Sequence, residues 1–401
     1  MSVQRVPLGV LDLVPIASGS DAARALSNTV ELARRAEELG YHRYWFAEHH
    51  LNPGVAGTAP AILIALVAGA TTRIRLGSGG VQSGHRTALS VVEEFGLLDA
   101  AHPGRIDLGL GRSGGRNFLA DRLAAAAAAE GKAKKAKQPN EDRSTEGGLL
   151  IPARPSLGAL AGSPRLGLTA DLLQQEGAAS ADYTELVRDI AALIDGTYRS
   201  KEGLDPHPVP GAGAGVDLWV LGSSAGESAA VAGELGLQFA ANYHVSPSTV
   251  LDAVDAYRAS FVPSATLERP YVVVSADVVV ADTDESAREL AAGYGLWVRS
   301  IRRGEGAIPY PGPDEVRAHQ WRDEDFALVR DRVVTQFVGA AATVVERLEV
   351  LREATGADEL MVTTMTHAQS DRIRSFELLA EAWHARRTST PQRGRVKAPV
   401  A

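Results

Sequence analysis

The chain has 401 residues, 45% of them hydrophobic, which is material for one large barrel or for two to three smaller domains. A formal net charge of −8 argues against a nucleic-acid binder, which carries a basic footprint. Cysteine is absent, which excludes disulfides, thiolate metal sites and a cysteine nucleophile. No apolar run reaches the ~18 residues of a membrane span, and the opening Met1-Ser2-Val3-Gln4-Arg5-Val6 lacks a signal-peptide pattern. A cytoplasmic protein is expected.

Strand-like and helix-like segments then alternate along the chain. Residues 6–14 read as a first strand. Over residues 28–39, Val30, Leu32, Ala33, Ala36 and Leu39 make an apolar stripe opposite Arg34, Arg35, Glu37 and Glu38. Gly40 follows where a helix-ending glycine belongs. Residues 43–49 read as the second strand, 59–70 as an apolar helix, 74–80 as the third strand, 88–101 as a helix and 105–112 as the fourth strand. From about 117 to 182 the pattern breaks into an alanine run at 124–129, the cluster Lys132, Lys134, Lys135 and Lys137, and a Pro/Gly/Ser-rich stretch. An excursion of this length is either a functional lid or a solvated insert, and its composition leaves both readings open.

Regularity resumes with Leu186, Val187, Ile190, Leu193 and Ile194 on one helical face. Residues 217–221 form a fifth strand, followed by Gly222-Ser223-Ser224 and a small-residue helix over 227–235. The sixth strand spans 237–241 with its helix at 249–261. The seventh spans 271–280, with a helix from near Glu285. A polar excursion over 304–325 precedes a helix at 344–351. The eighth strand is 360–364, and Ile373, Phe376, Leu379 and Trp383 mark a final helix. The expected fold is α/β, a (β/α)₈ TIM barrel with a long insertion after strand 4. The barrel domain is expected over 1–386, with a disordered tail at 387–401. A doubly wound open sheet is the other arrangement considered; the count of eight and the absence of a composition break favour the barrel.

Three strand ends carry chemistry. Tyr44-Trp45-Phe46-Ala47-Glu48-His49-His50 runs from a buried strand into three ionisable side chains, at the end of a strand where α/β folds build active sites. His49 and His50 are adjacent and would alternate in direction on a continuing strand, which makes them poor joint metal ligands. One of them suits acid/base work, since imidazole titrates near neutrality. The segment Gly109-Leu110-Gly111-Arg112-Ser113-Gly114 has the spacing of a dinucleotide-binding turn. No second strand with its acidic residue follows, and the motif comes fourth in the series rather than first. Arg112 itself offers a planar fork for a phosphate, or equally a partner for a carboxylate on the barrel rim. Gly222-Ser223-Ser224 before a helix reads either as an anion site or as an ordinary serine cap. No metal site is expected.

In order and spacing, these segments resemble the bacterial luciferase-like family of flavin-dependent oxidoreductases. The resemblance is carried by Ala47-Glu48-His49-His50 and by Arg73-Ile74-Arg75-Leu76-Gly77-Ser78-Gly79-Gly80. It continues through Pro103-Gly104-Arg105-Ile106 to Gly109-Leu110-Gly111-Arg112, then Leu221-Gly222-Ser223-Ser224, then Ser370-Asp371-Arg372-Ile373-Arg374-Ser375-Phe376. The resemblance implies FMN at the carboxyl end of the barrel, with His49 as the catalytic histidine beside the flavin ring. It implies Gly79 and Gly80 under the ring, at a site for a non-prolyl cis peptide bond, with Arg112, Gly222, Ser223 and Ser224 at the phosphate. Some relatives carry a cysteine where this chain has Gly111. The implied activity is a two-component monooxygenase using reduced FMN as co-substrate, O2 and a small organic substrate, with a separate flavin reductase. A deazaflavin coenzyme used for hydride transfer and a non-catalytic flavin-binding protein are the alternatives. A homodimer is also compatible.

Overall fold

A computed structural model describes residues 5–113, 140–155 and 163–385. The alanine run at 124–129, the lysines between 132 and 137 and the expected tail at 387–401 lie outside the described residues.

Eight parallel strands close into a barrel. They are β1 (Leu8–Asp12), β2 (Arg43–Phe46), β3 (Arg75–Ser78), β5 (Ile106–Gly111), β8 (Asp217–Gly222), β9 (Gln238–Asn242), β10 (Val272–Ala281) and β12 (Glu359–Thr363). Closure is explicit in the register: Gly9 pairs with Arg43 on one side of β1 and Leu8 with Leu360 on the other, while β10 joins both β9 and β12. The two-residue strand β4 (Val81–Gln82) continues the path of β3 and pairs with the far end of β5. Each expected barrel strand is present, with ends that differ by a few residues. The residues expected to finish the second strand, Ala47 to His49, already lie in the loop.

Strand alternation divides the core in two. Outward side chains such as Val10, Tyr44, Phe46, Leu76, Leu108 and Val274 meet the surrounding helices. Inward ones such as Leu11, Trp45, Trp219, Ala240, Val273 and Met361 fill the barrel. Trp45 and Trp219 meet edge-to-face with centroids 5.1 Å apart, a geometry worth roughly 0.5–1.5 kcal/mol beyond the area it buries. Gly77 makes room for them, since a Cβ there would lie 2.7 Å from Trp45 Nε1.

Local signals explain the helix limits. Asp21 caps the helix Ala22–Glu38 by accepting from Arg24 N, so it starts earlier than its apolar stripe, and Gly40 leaves it at φ +81°. Asp182 caps the helix Tyr183–Ile194 in the same way.

Two regions depart from the sequence reading. The 117–182 excursion contains, where described, the antiparallel pair β6 (Arg143–Ser144) and β7 (Leu150–Ile151), and the helix Pro164–Leu173. The polar stretch 304–325 is not irregular. It holds the helix Pro313–Ala318 and the start of the helix Asp323–Thr335, which feeds an extra strand, β11 (Phe337–Ala340), on the outer half of β10. The helix Asp323–Thr335 reads as polar because its buried positions include Asp325, Asp331 and Arg332 as well as Val329. No helix among the described residues is long and apolar enough to cross a membrane.

Candidate active site

The carboxyl ends of the strands surround a cavity of about 550 Å³, within the range of pockets that hold small molecules. Leu11, Trp45, Val273 and Met361 form its apolar floor. His49, Gly79, Gly80, Arg112, Gly222, Ser223 and Ser224 all line it. Residues from four strand ends, far apart in the chain, thus meet around one space.

After Phe46 the chain leaves β2. Ala47 N still donates to Asp12 O at 3.0 Å and His49 N donates to Gly57 O at 2.7 Å. Glu48 is buried, and it ties this loop to the one after β3. Its carboxylate accepts from Gln82 N at 2.9 Å and engages His50 Nε2 at 2.8 Å, while its carbonyl accepts from Gln82 Nε2 at 2.7 Å. His49 is thereby fixed by its neighbours on both sides. Its Nδ1 is buried with no partner among the described residues, which leaves Nε2 as the nitrogen available to the cavity. Burial, reinforced by the charge of His50 and opposed by Glu48, lowers the His49 pKa to about 4. The ring is therefore neutral at physiological pH.

His50 does not point away from His49's side as strict alternation would require. Both line the cavity, because the strand has already ended. His85 packs edge-on against His50 at 5.5 Å, with its Nε2 3.6 Å from Glu48 Oε1. Glu48, His50 and His85 bring three potential ligand atoms within 4.8 Å of one another, a grouping that sequence spacing did not reveal. The guanidinium of Arg86 also approaches Glu48, at 4.0 Å.

The peptide Gly79-Gly80 is cis. A Cβ on Gly79 would lie 2.7 Å from Leu11 Cδ1, and one on Gly80 2.7 Å from Gly109 O, so a side chain at Gly80 would strike backbone and one at Gly79 would have to displace Leu11. Glycine here brings bare backbone against the floor of the cavity.

Arg112 leaves the end of β5 and pairs with Glu227 at 3.0 Å, the rim-carboxylate contact weighed from the sequence. The same pair stands beside the turn Gly222-Ser223-Ser224. The serines do not cap the helix Glu227–Glu234. Gly226 holds the cap position, with no side-chain cap bond. Two hydroxyls, one guanidinium and the open amino end of a helix thus share one end of the cavity, a donor set suited to a phosphate. Together with the apolar floor and the backbone surface at Gly79-Gly80, these residues fit a planar cofactor with an anionic tail.

Several cavity residues were not found from the sequence. His244 follows β9, and its Nδ1 lies 2.7 Å from Ser275 Oγ. Burial first, then Arg332 and His49, lower its pKa to about 3. The strand-end signal that singled out His49 is also present at Asn242-Tyr243-His244. Arg332 has no such signal, because a lone arginine on a polar helix reads as solvated. The inserted helix Pro164–Leu173 turns Leu166, Ala170 and Leu173, spaced i, i+4 and i+7, into the cavity. Ser163 Oγ donates to Gly304 O at 2.9 Å, and Arg165 donates to Leu51 O, which anchors that helix over the mouth. Of the two readings of the excursion, this described part is a wall of the site.

Residues 6–129 and 165–359 match the family described as luciferase-like monooxygenase. The chain is 36% identical over 381 residues to the uncharacterized protein YvbT of Bacillus subtilis (strain 168), covering 94% of this chain and 97% of that one. It is 34% identical over 380 residues to a luciferase-like monooxygenase of Escherichia coli (strain K12), covering 94% and 97%. Among solved structures it is similar to apo-MsnO8, with a TM-score of 0.73 and 32% identity over 96% of this chain and 100% of that one. Two more distant structures share the fold. One is the oxygenating constituent of 3,6-diketocamphane monooxygenase from Pseudomonas putida, in complex with FMN (TM-score 0.58, 18% identity, 95% and 98% covered). The other is an F420-dependent secondary alcohol dehydrogenase (TM-score 0.57, 14% identity, 95% and 99% covered). A family match over most of the sequence, with relatives alike along their full lengths, makes this chain a member of the luciferase-like monooxygenase family, an oxidoreductase of the class that incorporates molecular oxygen.

Proposed function

We propose that this protein is a flavin-dependent monooxygenase that takes reduced FMN from a separate flavin reductase and oxygenates a small organic substrate with O2. The observation that carries the reading is the shared cavity: a neutral, half-buried His49 at one wall, bare backbone at Gly79-Gly80, and Arg112 with Ser223 and Ser224 at an anion-binding end.

Reduced FMN, when bound, supplies the electrons that activate dioxygen. The residues do the rest. Arg112, Gly222, Ser223 and Ser224 would hold the phosphate, with Arg112 released in part from its pair with Glu227. Gly79 and Gly80 would leave bare backbone for the ring to lie against. His49 exchanges a proton at Nε2, and its low pKa keeps the imidazole neutral until the reaction delivers a proton. Leu166, Ala170 and Leu173 on the inserted helix keep water from the reacting atoms. A cytoplasmic location is supported by the cysteine-free composition. A homodimer is supported by the exposed apolar side chains Ile62, Leu66, Leu89 and Leu97 on two neighbouring helices.

The test is anaerobic titration with reduced FMN, followed by rapid mixing with oxygenated buffer under absorbance monitoring. Tight binding and an oxygen-dependent transient that precedes oxidised FMN are expected. Binding without oxygen reactivity would shift the assignment to a deazaflavin-dependent hydride transferase or to a non-catalytic flavin carrier.

A further inference from the structure

Arg165 and Arg332 are the described cavity-lining arginines whose charge the mechanism above does not use, and Arg332 is the more deeply buried. It is 7% exposed. Its Nε and Nη2 donate to Tyr294 Oη at 3.1 and 2.7 Å, and Tyr294 in turn donates to Asp277. Asp277 also stands 3.5 Å from Nη2 and forms a buried ion pair with it. The adjacent Asp331 belongs to Arg302, at 2.8 Å. Nη1 of Arg332 makes no hydrogen bond among the described residues and is not one of the fully buried unpartnered atoms, and the residue lines the cavity.

The other charged groups in the lining are committed. Arg112 pairs with Glu227, Arg165 donates to Leu51 O, and Glu48 serves His50 and Gln82. A guanidinium held in place by Tyr294 and Asp277, with its Nη1 making no hydrogen bond among the described residues, has the chemistry of an oxyanion receptor.

We propose that Arg332 binds an acidic group of the substrate, so that the enzyme acts on an organic carboxylate-type anion whose apolar remainder lies against Leu166, Leu173 and Ile301. This rests on the cavity being the active site proposed above. Arg332 sits by β10, three strands round the barrel from the β5 end that carries Arg112, so the two arginines hold two different anions: the substrate's acid here and the cofactor's phosphate there.

The test compares hexanoate with its near-isosteric neutral amide, hexanamide, by calorimetric titration of the full chain with and without FMN. Wild type is expected to bind hexanoate roughly ten- to a hundredfold more tightly, as for a charge-assisted hydrogen bond, and Arg332→Met to abolish the preference. Should Arg332→Met fail to fold, Arg332→Gln, which keeps a donor toward Tyr294, carries the same comparison. Equal affinities in wild type, no hexanoate binding at all, or a preference that survives in the variant overturns the proposal. FMN and riboflavin are titrated in parallel. If Arg332→Met weakens FMN but not riboflavin, the side chain is a cofactor phosphate contact and the proposal fails. If wild type binds no FMN, the cofactor reading fails instead, and the hexanoate comparison still decides the role of Arg332.

Discussion

The two ends of the barrel interior use charge in opposite ways. At the amino-terminal end, Arg43 forms a fork with Glu359 at 2.8 Å and reaches Asp107 at 2.6 Å. Asp107 also accepts from Trp45 Nε1 and Arg75, and Glu359 from Tyr271. The Arg43 guanidinium lies 4.7 Å from the Trp219 ring centroid. Both carboxylates and the arginine are saturated and almost wholly buried. At the carboxyl end, among the described residues, His49 Nδ1 has no partner, Arg332 Nη1 makes no hydrogen bond, and Arg112 has one ion pair, to Glu227. A saturated network resists change and has nothing left for a ligand. An unsaturated one costs stability and retains the capacity to bind.

Five experiments would break or sharpen that contrast. His49→Ala is expected to lower oxygenated product by roughly 10²–10⁴-fold, as for loss of a general acid/base, while reduced FMN binds as before; unchanged turnover would remove His49 from the chemistry. The pH profile bears on the same residue. With a pKa near 4, activity should stay flat from neutrality down to about pH 5 and decline only towards 4. An inflection at 6.5 would contradict the buried, neutral ring.

Arg43→Met, at the opposite end, should cost about 3–5 kcal/mol of stability in denaturant titration, because it strands two buried carboxylates. The surviving folded fraction should keep its FMN affinity. A loss of affinity with little loss of stability would mean that the two ends are not separable.

Arg112→Ala should weaken FMN binding by roughly ten- to a hundredfold and leave riboflavin nearly unaffected. Glu227→Gln, which frees Arg112, should leave FMN affinity equal or tighter. Calorimetry on both variants reads the outcome.

The smallest effect is expected outside the barrel. The Glu37 carboxylate accepts from the backbone N–H groups of Thr72, Arg73 and Ile74. Burial opposes its charge, yet those bonds outweigh burial and hold its pKa at about 2. Since the folded value lies below the unfolded one, the stabilisation is complete above pH 4.5 and fades as pH falls towards 2. Glu37→Gln should flatten that part of a melting-temperature profile. An unchanged profile would show that the contact contributes nothing.

How far the sequence carried depends on what each residue is buried against. The barrel strands were legible because strands covered on both faces read as short apolar runs, as at Val272–Ala281. His49, Arg112 and Gly222-Ser223-Ser224 were legible as polar groups at the ends of such runs. The helix Asp323–Thr335 was not, because its buried side meets charged partners rather than apolar ones, and a buried ion pair has the same letters as a solvated face. β11 was missed with it, being short and rich in small residues.

By itself, then, the sequence determined the alternation of strands and helices, the barrel, and the strand ends at which chemistry collects, since these depend on local periodicity and on glycine. Only the tertiary structure decided which charges are saturated and which are open. Arg43 and Arg332 are both arginines next to apolar residues, and nothing local separates them. The difference lies in partners 316 residues away in one case and 38 in the other, brought close by barrel closure and by the packing of two outer helices.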